Sequence, residues 1–336
     1  MAKGKKENRV HIEDVAKRAG VAISSVSRVL TGHKAVSESM RNKVEKAALD
    51  LGYQPDHLAQ SLRRGSTKTI GFMIRDIMNP FFSIIAQSCE IELRKSHYSM
   101  ILINSAGSES TEKSNFGVLK SRRVDGIISS LVSESSFTKN SLNSFTAPIV
   151  LLDREISGLT TSSVLCDHTS GVFDATKYLL SQGHKRIAFI SGPENIYVTR
   201  NRLDGYEKAY ESLNLKPPKD LIRLKDFSEK FAKEETHKLF KMSNPPTAIL
   251  AGGIGSSGGV LHGLKELKID LNQVKFIALD EWPFFDLLSP GLSSVHRDPE
   301  TMGKYAAKLM LELINGGKPK SILIPTTFKN RDRASK

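Results

Sequence analysis

Cysteine is nearly absent: the 336 residues include 2, Cys89 and Cys166, far apart in the chain. That excludes a disulfide scaffold, argues against a cysteine-based zinc site and suits a reducing compartment. Tryptophan occurs once, as Trp282. No run of about 18 apolar residues exists, so no helix is expected to span a membrane. The basic start, Met1 to Arg9, is not followed by an apolar run, so no secretory signal peptide is expected. The hydrophobic fraction of 39 % and charged fraction of 25 % are ordinary for a core-forming chain, and the length suits two or three domains.

Positive charge is abundant. The net charge is +13, and residues 1–68 hold 14 Lys and Arg against 7 Asp and Glu, so about half of the excess lies in the first fifth of the chain. A basic terminal module suggests a polyanion partner: DNA, RNA or anionic lipid. Charge alone is equally consistent with a solvated lysine face.

Residues 9–51 have only helical periodicity: Val15, Ala16 and Ala19, then Val26, Val29 and Leu30, then Val44, Ala47, Ala48 and Leu51. Residues 53–68 read as a connector, with Leu58, Ala59 and Leu62 on one helical face. From residue 69 short apolar runs (Thr69–Ile74, Met100–Asn104, Gly126–Ser130, Ile149–Leu152, Arg186–Ile190, Ala248–Ala251, Phe276–Leu279) alternate with amphipathic stretches (Phe82–Lys95, Gly171–Gln182, Arg202–Leu213, Glu229–Lys241, Gly259–Leu267, Pro299–Asn315). Such alternation predicts parallel sheets flanked by helices. About ten strands exceed one comfortable sheet, so two lobes facing a cleft are expected.

The segment from Ile12 to Leu30 has helix-turn-helix spacing. Ala16 is small where two helices cross, Gly20 suits the positive φ of the turn, and Val26 is the buried residue of the second helix. That helix would present Ile23, Ser24, Ser25, Ser27 and Arg28 outward, types that suit phosphates and base edges in a major groove. A small helical module with an ordinary polar face is the plainer alternative.

Further motifs follow in order: Leu51-Gly-Tyr-Gln-Pro, Ala59-Gln-Ser-Leu-Arg, Asn79-Pro-Phe-Phe, Arg123-Val-Asp-Gly-Ile-Ile, Leu151-Leu-Asp-Arg, Gly183-His-Lys-Arg-Ile-Ala-Phe-Ile, Arg202-Leu-Asp-Gly-Tyr and Leu288-Ser-Pro-Gly-Leu-Ser-Ser-Val. With the helix-turn-helix segment, they make the chain resemble a lactose-repressor-type (LacI/GalR) transcriptional regulator over nearly its whole length. The resemblance implies an N-terminal all-α helix-turn-helix headpiece (1–54), a hinge helix or linker (55–67) and an α/β two-lobed periplasmic-binding-protein-like core with parallel sheets (68–336). Lobe 1 would comprise about 68–167 and 296–325, and lobe 2 about 168–295 and 326–332.

The resemblance further implies that Ile23, Ser24 and Arg28 read the major groove, that Ser25, Ser27, Ser37 and Tyr53 contact DNA around them, and that Leu62, with Ala59, wedges into the minor groove at a cost of a few kcal/mol of unstacking. It implies a cleft in which Phe81 or Phe82 stacks on a ligand ring, Asp153 and Asp167 accept hydroxyl protons, Arg202 donates a planar fork, Asp280 closes the far side and Trp282 lines the same space. The partners so implied are double-stranded operator DNA, a sugar or sugar derivative as effector, and a second copy of the chain, in the cytoplasm with no membrane and no cofactor. No leucine heptads follow the core, which favours a dimer over a tetramer. A ligand-binding protein with a non-functional headpiece is the alternative.

Three departures from the family pattern carry expectations. His11 and Ala22 stand where hydroxyl N-caps are usual, and a lost cap costs roughly 1 kcal/mol, so a weakly stable headpiece is expected. Asp56 replaces a common asparagine and would repel phosphates. Gly252-Gly253-Ile254 replaces an Asn-Asp pair, which removes a polar ligand contact and suggests a smaller, less hydroxylated or anionic effector.

Two patterns argue for an enzyme. Gly253-Ile-Gly-Ser-Ser-Gly258 is a GxGxxG with Asp280 downstream, but a dinucleotide fold opens with this motif, and here it lies late. Gly255-Ser-Ser257-Gly-Gly259 is a GxSxG, and Ser257, Asp280 and His296 follow hydrolase order. No second oxyanion loop precedes it, and glycines opening a helix over a cleft account for the same residues, so no enzyme is expected. The nine His form no HxxxH or Cys/His cluster, and His184 leads into a strand, so no metal is expected either.

Overall fold

The computed structural model describes residues 10–30, 35–53, 65–282, 284–287 and 291–332, the side chains of 136 and 137 excepted. The chain divides into two compact units, Met1–Thr67 and Lys68–Lys336. The first contains α1 (Ile12–Ala19), α2 (Ile23–Leu30) and α3 (Glu38–Asp50). Val15, Ala16, Val26, Val29, Val44 and Ala47 are its core, with Tyr53 packed against them. Gly20 ends α1 at φ +66°, the left-handed conformation the turn requires. His11 stands at the N-cap of α1 without a hydroxyl, and the Asp14 carboxylate in the first turn accepts the His11 N–H at 2.8 Å and favours the helix dipole.

The second unit holds two six-stranded sheets. In the first, in spatial order, lie β11 (Ser321–Ile324), β5 (Ser162–Cys166), β4 (Ile149–Leu152), β3 (Gly126–Ser129), β1 (Thr69–Ile74) and β2 (Ser99–Asn104). In the second lie β12 (Thr327–Lys329), β10 (Ser293–His296), β9 (Lys275–Ala278), β8 (Ala248–Ala251), β6 (Ile187–Ser191) and β7 (Ile222–Leu224). Every pairing is parallel except β10 with β12. The inner strands β3, β4, β6 and β8 are short and buried on both faces, as helix-covered parallel strands must be.

The helices are α4 (Pro80–Lys95), α5 (Glu109–Ser121), α6 (Ser136–Asn143), α7 (His168–Ser181), α8 (Tyr197–Glu211), α9 (Glu229–Phe240), α10 (Ile254–Glu266) and α11 (Pro299–Ile314). The chain leaves the first sheet after β5, returns after β10, and crosses again between β11 and β12. Each sheet reverses winding direction once, between β1 and β3 and between β6 and β8. Ligand crevices form at such points, beyond the carboxyl ends of the strands.

One buried acid sets a pH dependence. Glu112 of α5 is 2 % exposed, and its Oε2 accepts the Val132 N–H at 2.6 Å. Burial pushes its carboxyl up to about 7 from 4.5. A raised carboxyl pKa gives stability that is full below pH 4.5 and is lost as pH rises through about 7. At one pKa unit per 1.36 kcal/mol the change approaches roughly 3 kcal/mol. Glu112→Gln keeps the acceptor and abolishes the titration. Its denaturation midpoint is expected to stay flat from pH 5 to 8 (roughly the titration window) while the wild-type midpoint falls; parallel curves would refute this.

Candidate functional site

On the first unit, Val26 and Val29 anchor α2, so Ile23, Ser27, Ser24 and Arg28 share the opposite arc, about 140° wide at 100° per residue. Ile23 is 47 % exposed, an apolar side chain of that size held in solvent on an otherwise polar face. Ser24 and Arg28 are exposed, and Ser25 and Ser27 are half-buried. Ser37 caps α3, its Oγ accepting the Met40 N–H at 3.3 Å. Tyr53 lies on the headpiece core. Ala59, Leu62 and Asp56 lie outside the described residues.

On the second unit a cleft of about 360 Å³ lies at the carboxyl ends of both sheets. The first sheet contributes Arg75 and Asp76 after β1, Phe82 of α4, Ser130 after β3, and Asp153 and Arg154 after β4. The second contributes Arg202 of α8, Phe227 after β7, Gly253 at the start of α10, and Asp280 after β9. Arg297, just after β10, lies between them. Its Nη1 donates to Asp153 Oδ2 at 2.8 Å and its Nη2 pairs with Asp280 Oδ1, so one guanidinium ties the two sheets' carboxylates together. The same guanidinium stacks 3.5 Å above the Phe81 ring.

The network continues on both sides. Arg202 Nη2 donates to Asp280 Oδ1 at 2.8 Å and to the Leu279 carbonyl at 2.9 Å. Asp153 Oδ1 accepts the Cys166 N–H at 2.8 Å. His168 lies between Arg202 Nε, 3.4 Å from its Nδ1, and Asp153 Oδ2, 3.3 Å from its Nε2. Burial pushes His168 below its ordinary value. A neutral ring accepting at Nδ1 and carrying its proton on Nε2 matches both neighbours. Burial opposes ionisation of the two aspartates, but His168, Arg297 and the Cys166 N–H outweigh it at Asp153, and Arg297 and Arg202 outweigh it at Asp280. Both stay below the usual carboxylate range. Within this network Arg202 Nη1 and Arg297 Nε are buried without a hydrogen bond, as is the Ser130 hydroxyl, and all three residues line the cleft. Unpartnered buried polar atoms on residues that line one cavity point to a polar ligand.

A second link spans the sheets. Ile196 gives α8 no side-chain cap. Glu134, in the loop after β3, supplies it from the other sheet: Oε1 accepts the Tyr197 N–H at 2.8 Å and Oε2 pairs with Arg200 at 2.9 Å.

Two residues named from the sequence lie elsewhere. Asp167 caps α7, accepting the Ser170 N–H at 3.0 Å and its hydroxyl at 2.6 Å, because an acid directly before a helix finds free N–H groups nearer than any ligand. Trp282, half-buried, packs edge-on against the exposed Phe284, ring centroids 4.7 Å apart, and against the core of the second sheet rather than in the cleft lining. Phe81 lies beneath Arg297, and Phe82 lines the cleft.

Arg75, Ser130, Arg154, Phe227 and Arg297 were missed, though Arg154 follows Asp153 within a quoted motif. Phe227 bears on one half of the Gly252-Gly253 departure, Gly253; at Gly252 a Cβ would instead come 2.4 Å from Ser191 Oγ. A Cβ at Gly192 would come 2.2 Å from the Phe227 ring and one at Gly253 3.0 Å, so the ring occupies the volume that side chains there would fill.

The enzyme patterns dissolve. Ser257 Oγ donates to the Gly253 carbonyl one helical turn back at 2.9 Å, Asp280 is held by two arginines, and His296 bonds Glu281. Ser257→Ala is expected to leave background esterase activity unchanged and stability within about 1 kcal/mol, the worth of one such bond; a fall in hydrolysis would restore the hydrolase reading. Asp153, Cys166 and His168 cluster within 4.8 Å, but burial keeps the Cys166 thiol protonated and Asp153 is committed to Arg297, so they make a poor cation site.

A helix-turn-helix module and a two-lobed cleft with ligand-seeking polar atoms, carried on one chain, define a class: DNA-binding regulators with an effector-binding core. Residues 11–56 match the model of the lacI family of bacterial regulatory proteins, and 176–332 match the periplasmic binding protein-like domain. The chain is 30 % identical to the HTH-type transcriptional repressor CytR of Escherichia coli K12 over 319 residues, 93 % of this chain and 92 % of that one. It is 31 % identical to the repressor PurR of Histophilus somni strain 2336 over 310 residues, 90 % and 92 % of the two chains. Among solved structures, the Lac repressor dimer bound to operator and the anti-inducer ONPF superposes with a TM-score of 0.84 at 23 % identity, over 96 % of this chain and 98 % of that one. The CelR–cellobiose complex superposes with a TM-score of 0.72 at 24 % identity, over 96 % and 99 %. The chain belongs to the lacI family of transcriptional regulators and is not an enzyme. No helix among the described residues is long and apolar enough to cross a membrane.

Proposed function

We propose that the protein is a cytoplasmic repressor that binds a pseudo-palindromic operator as a homodimer and is controlled by a small polar effector, a sugar or sugar derivative, in the cleft. The observation that carries this is Arg297 holding Asp153 and Asp280 from the two sheets, with unpartnered buried donors on residues that line the cavity. An effector that satisfies those atoms touches both lobes. It therefore favours one lobe angle over another by its differential affinity, and operator affinity changes by the same coupling free energy. Glu134, bonded across the lobes at the start of α8, is sensitive to the same angle. Ile23, Ser24, Ser25, Ser27 and Arg28 would read and grip the major groove, with Ser37 and Tyr53 supporting them. Ala59 and Leu62 would act in the minor groove. The relatives named repressors, and the neighbour seen as an operator-bound dimer, support this reading.

The test is selection of random duplexes by full-length protein at low salt, with sequencing of the bound pool. A recovered palindrome whose affinity falls steeply with salt supports the reading. A pool still unenriched when metabolite extracts are added would sink it.

A further inference from the structure

The cleft contains two cations that its own acids do not neutralise. Arg75 and Arg154 follow β1 and β4, which flank β3 in the first sheet, and Ser130 lies just after β3 between them. Among the described residues neither arginine has a carboxylate at ion-pair distance. Arg154 donates from Nε to the Leu131 carbonyl at 2.8 Å and from Nη1 to the Asp153 carbonyl at 2.7 Å. Those contacts hold the guanidinium in place without cancelling its charge. Arg75 lies over the Phe227 ring at 4.7 Å, which also leaves its charge intact.

The neighbouring acids are engaged elsewhere. Around Arg75, Asp76 accepts the Met78 N–H, Asp226 accepts the Ser228 N–H, and Asp280 is held by Arg202 and Arg297. Around Arg154, Glu134 pairs with Arg200, Asp153 pairs with Arg297, and Glu112 titrates near neutrality. Burial and the charge of Arg154 bring Arg75 down to about 10 from 12.5, and the charges of Asp76, Asp280 and Asp226 offset them only in part. The Ser130 hydroxyl, 1 % exposed, has no partner.

We infer that the effector carries an anionic oxygen group, phosphoryl or carboxylate, held by Arg75, Arg154 and Ser130 in the first lobe. This rests on the proposed effector site and names the chemical class it takes. The Arg75 fork, the Nη2 end of Arg154 and a hydroxyl match an oxyanion's several acceptors. The paired Asp153, Arg202, Asp280 and Arg297 are left for the uncharged, hydroxylated part. The Phe227 ring, lodged against Gly192 and Gly253, takes up room a larger neutral sugar would need.

The probe is inorganic phosphate, titrated into full-length protein at constant ionic strength against chloride, with melting temperature as the readout. A saturable rise is expected for the wild type. Arg75→Gln removes an unneutralised cation, so it should melt close to the wild type without phosphate and bind phosphate at least tenfold more weakly. An equal response in both proteins, or none in the wild type, overturns the inference. Glucose, glucose 6-phosphate and gluconate compared in the same assay separate the sources: tighter binding of the second points to a phosphoryl group, of the third to a carboxylate, and of glucose against the inference. Where none of the three binds, the phosphate titration decides. Selected duplex DNA released by a neutral sugar but by no anion would keep the regulator reading while sinking this one. Failure to select any DNA would sink the regulator reading by itself.

Discussion

Replacing Arg297 by methionine is expected to lower the stability of the two-lobed unit by about 3–5 kcal/mol at neutral pH, the usual cost of stranding a buried charge. Here one is stranded and a second loses one of its two partners. Asp153 and Asp280 each face Arg297, and both are less than a tenth exposed. Asp280 retains Arg202, and Asp153 retains only the neutral His168 and the Cys166 N–H. Methionine preserves the packing over Phe81, so the loss reports charge rather than volume.

The sign of the pH dependence separates this from a packing defect. In the wild type both aspartates are shifted down, so their contribution is present above 3.8 and is lost as pH falls through the lowered values. In the variant burial dominates and the shift of Asp153 reverses. Its penalty is greatest at neutral pH and fades as pH falls towards the ordinary carboxylate range. Denaturant titrations followed by fluorescence of Trp282, the sole tryptophan, should show the two proteins converging from pH 7 to 4.5, a window spanning ordinary and buried carboxylate titration. A pH-independent gap, or one under about 1 kcal/mol, would refute the network's role.

The second large effect concerns DNA. Arg28 is exposed on the α2 arc opposite Val26. A side chain contacting a base edge discriminates by about 1–3 kcal/mol, so Arg28→Ala in a dimer on two half-sites is expected to cost roughly 2–6 kcal/mol of operator affinity. Binding to random duplex should change far less, because several other basic residues still neutralise phosphates. Anisotropy titrations against the selected palindrome and a scrambled duplex separate the two. An equal loss on both would make Arg28 a phosphate contact, and its salt slope would then fall by about one ion per half-site.

Regular, strongly apolar elements were legible in the chain. Thr69–Ile74, Ile149–Leu152 and Ala248–Ala251 are strands as predicted, and the helices expected from Phe82 and Pro299 start at Pro80 and Pro299. The hidden elements have polar residues at buried positions. In α5 the buried Glu112 interrupts the stripe formed by Phe116 and Leu119. In β5 and β10 the first two residues are buried serines. β11 and β12 are short edge strands that leave half their side chains in solvent.

The cleft was legible in part. Asp153, Arg202 and Phe82 belong to motifs that could be named before their neighbours were known, and Asp280 was implied by the family resemblance without a motif of its own. Asp167 and Trp282 have suitable chemistry, but local competition decides them: a helix N-terminus takes the one and an apolar core the other. Arg75, Phe227 and Arg297 stand in loops without periodicity, and no spacing marks them.

Local order follows from the chain alone: three headpiece helices from apolar periodicity, the turn from Gly20, strand–helix alternation from residue 69, and a regulator from motifs in order. These depend on neighbours a few residues apart, where backbone preference and hydrophobic period act directly. Which charges meet is a matter of the tertiary structure. Arg297 reaches Asp153 across 144 residues of sequence, and Glu134 reaches Tyr197 across 63. Whether a cleft arginine finds a carboxylate or, like Arg75, has none at ion-pair distance among the described residues depends on distances of a few ångströms between separate loops. Only the folding of two sheets around one cleft sets those distances.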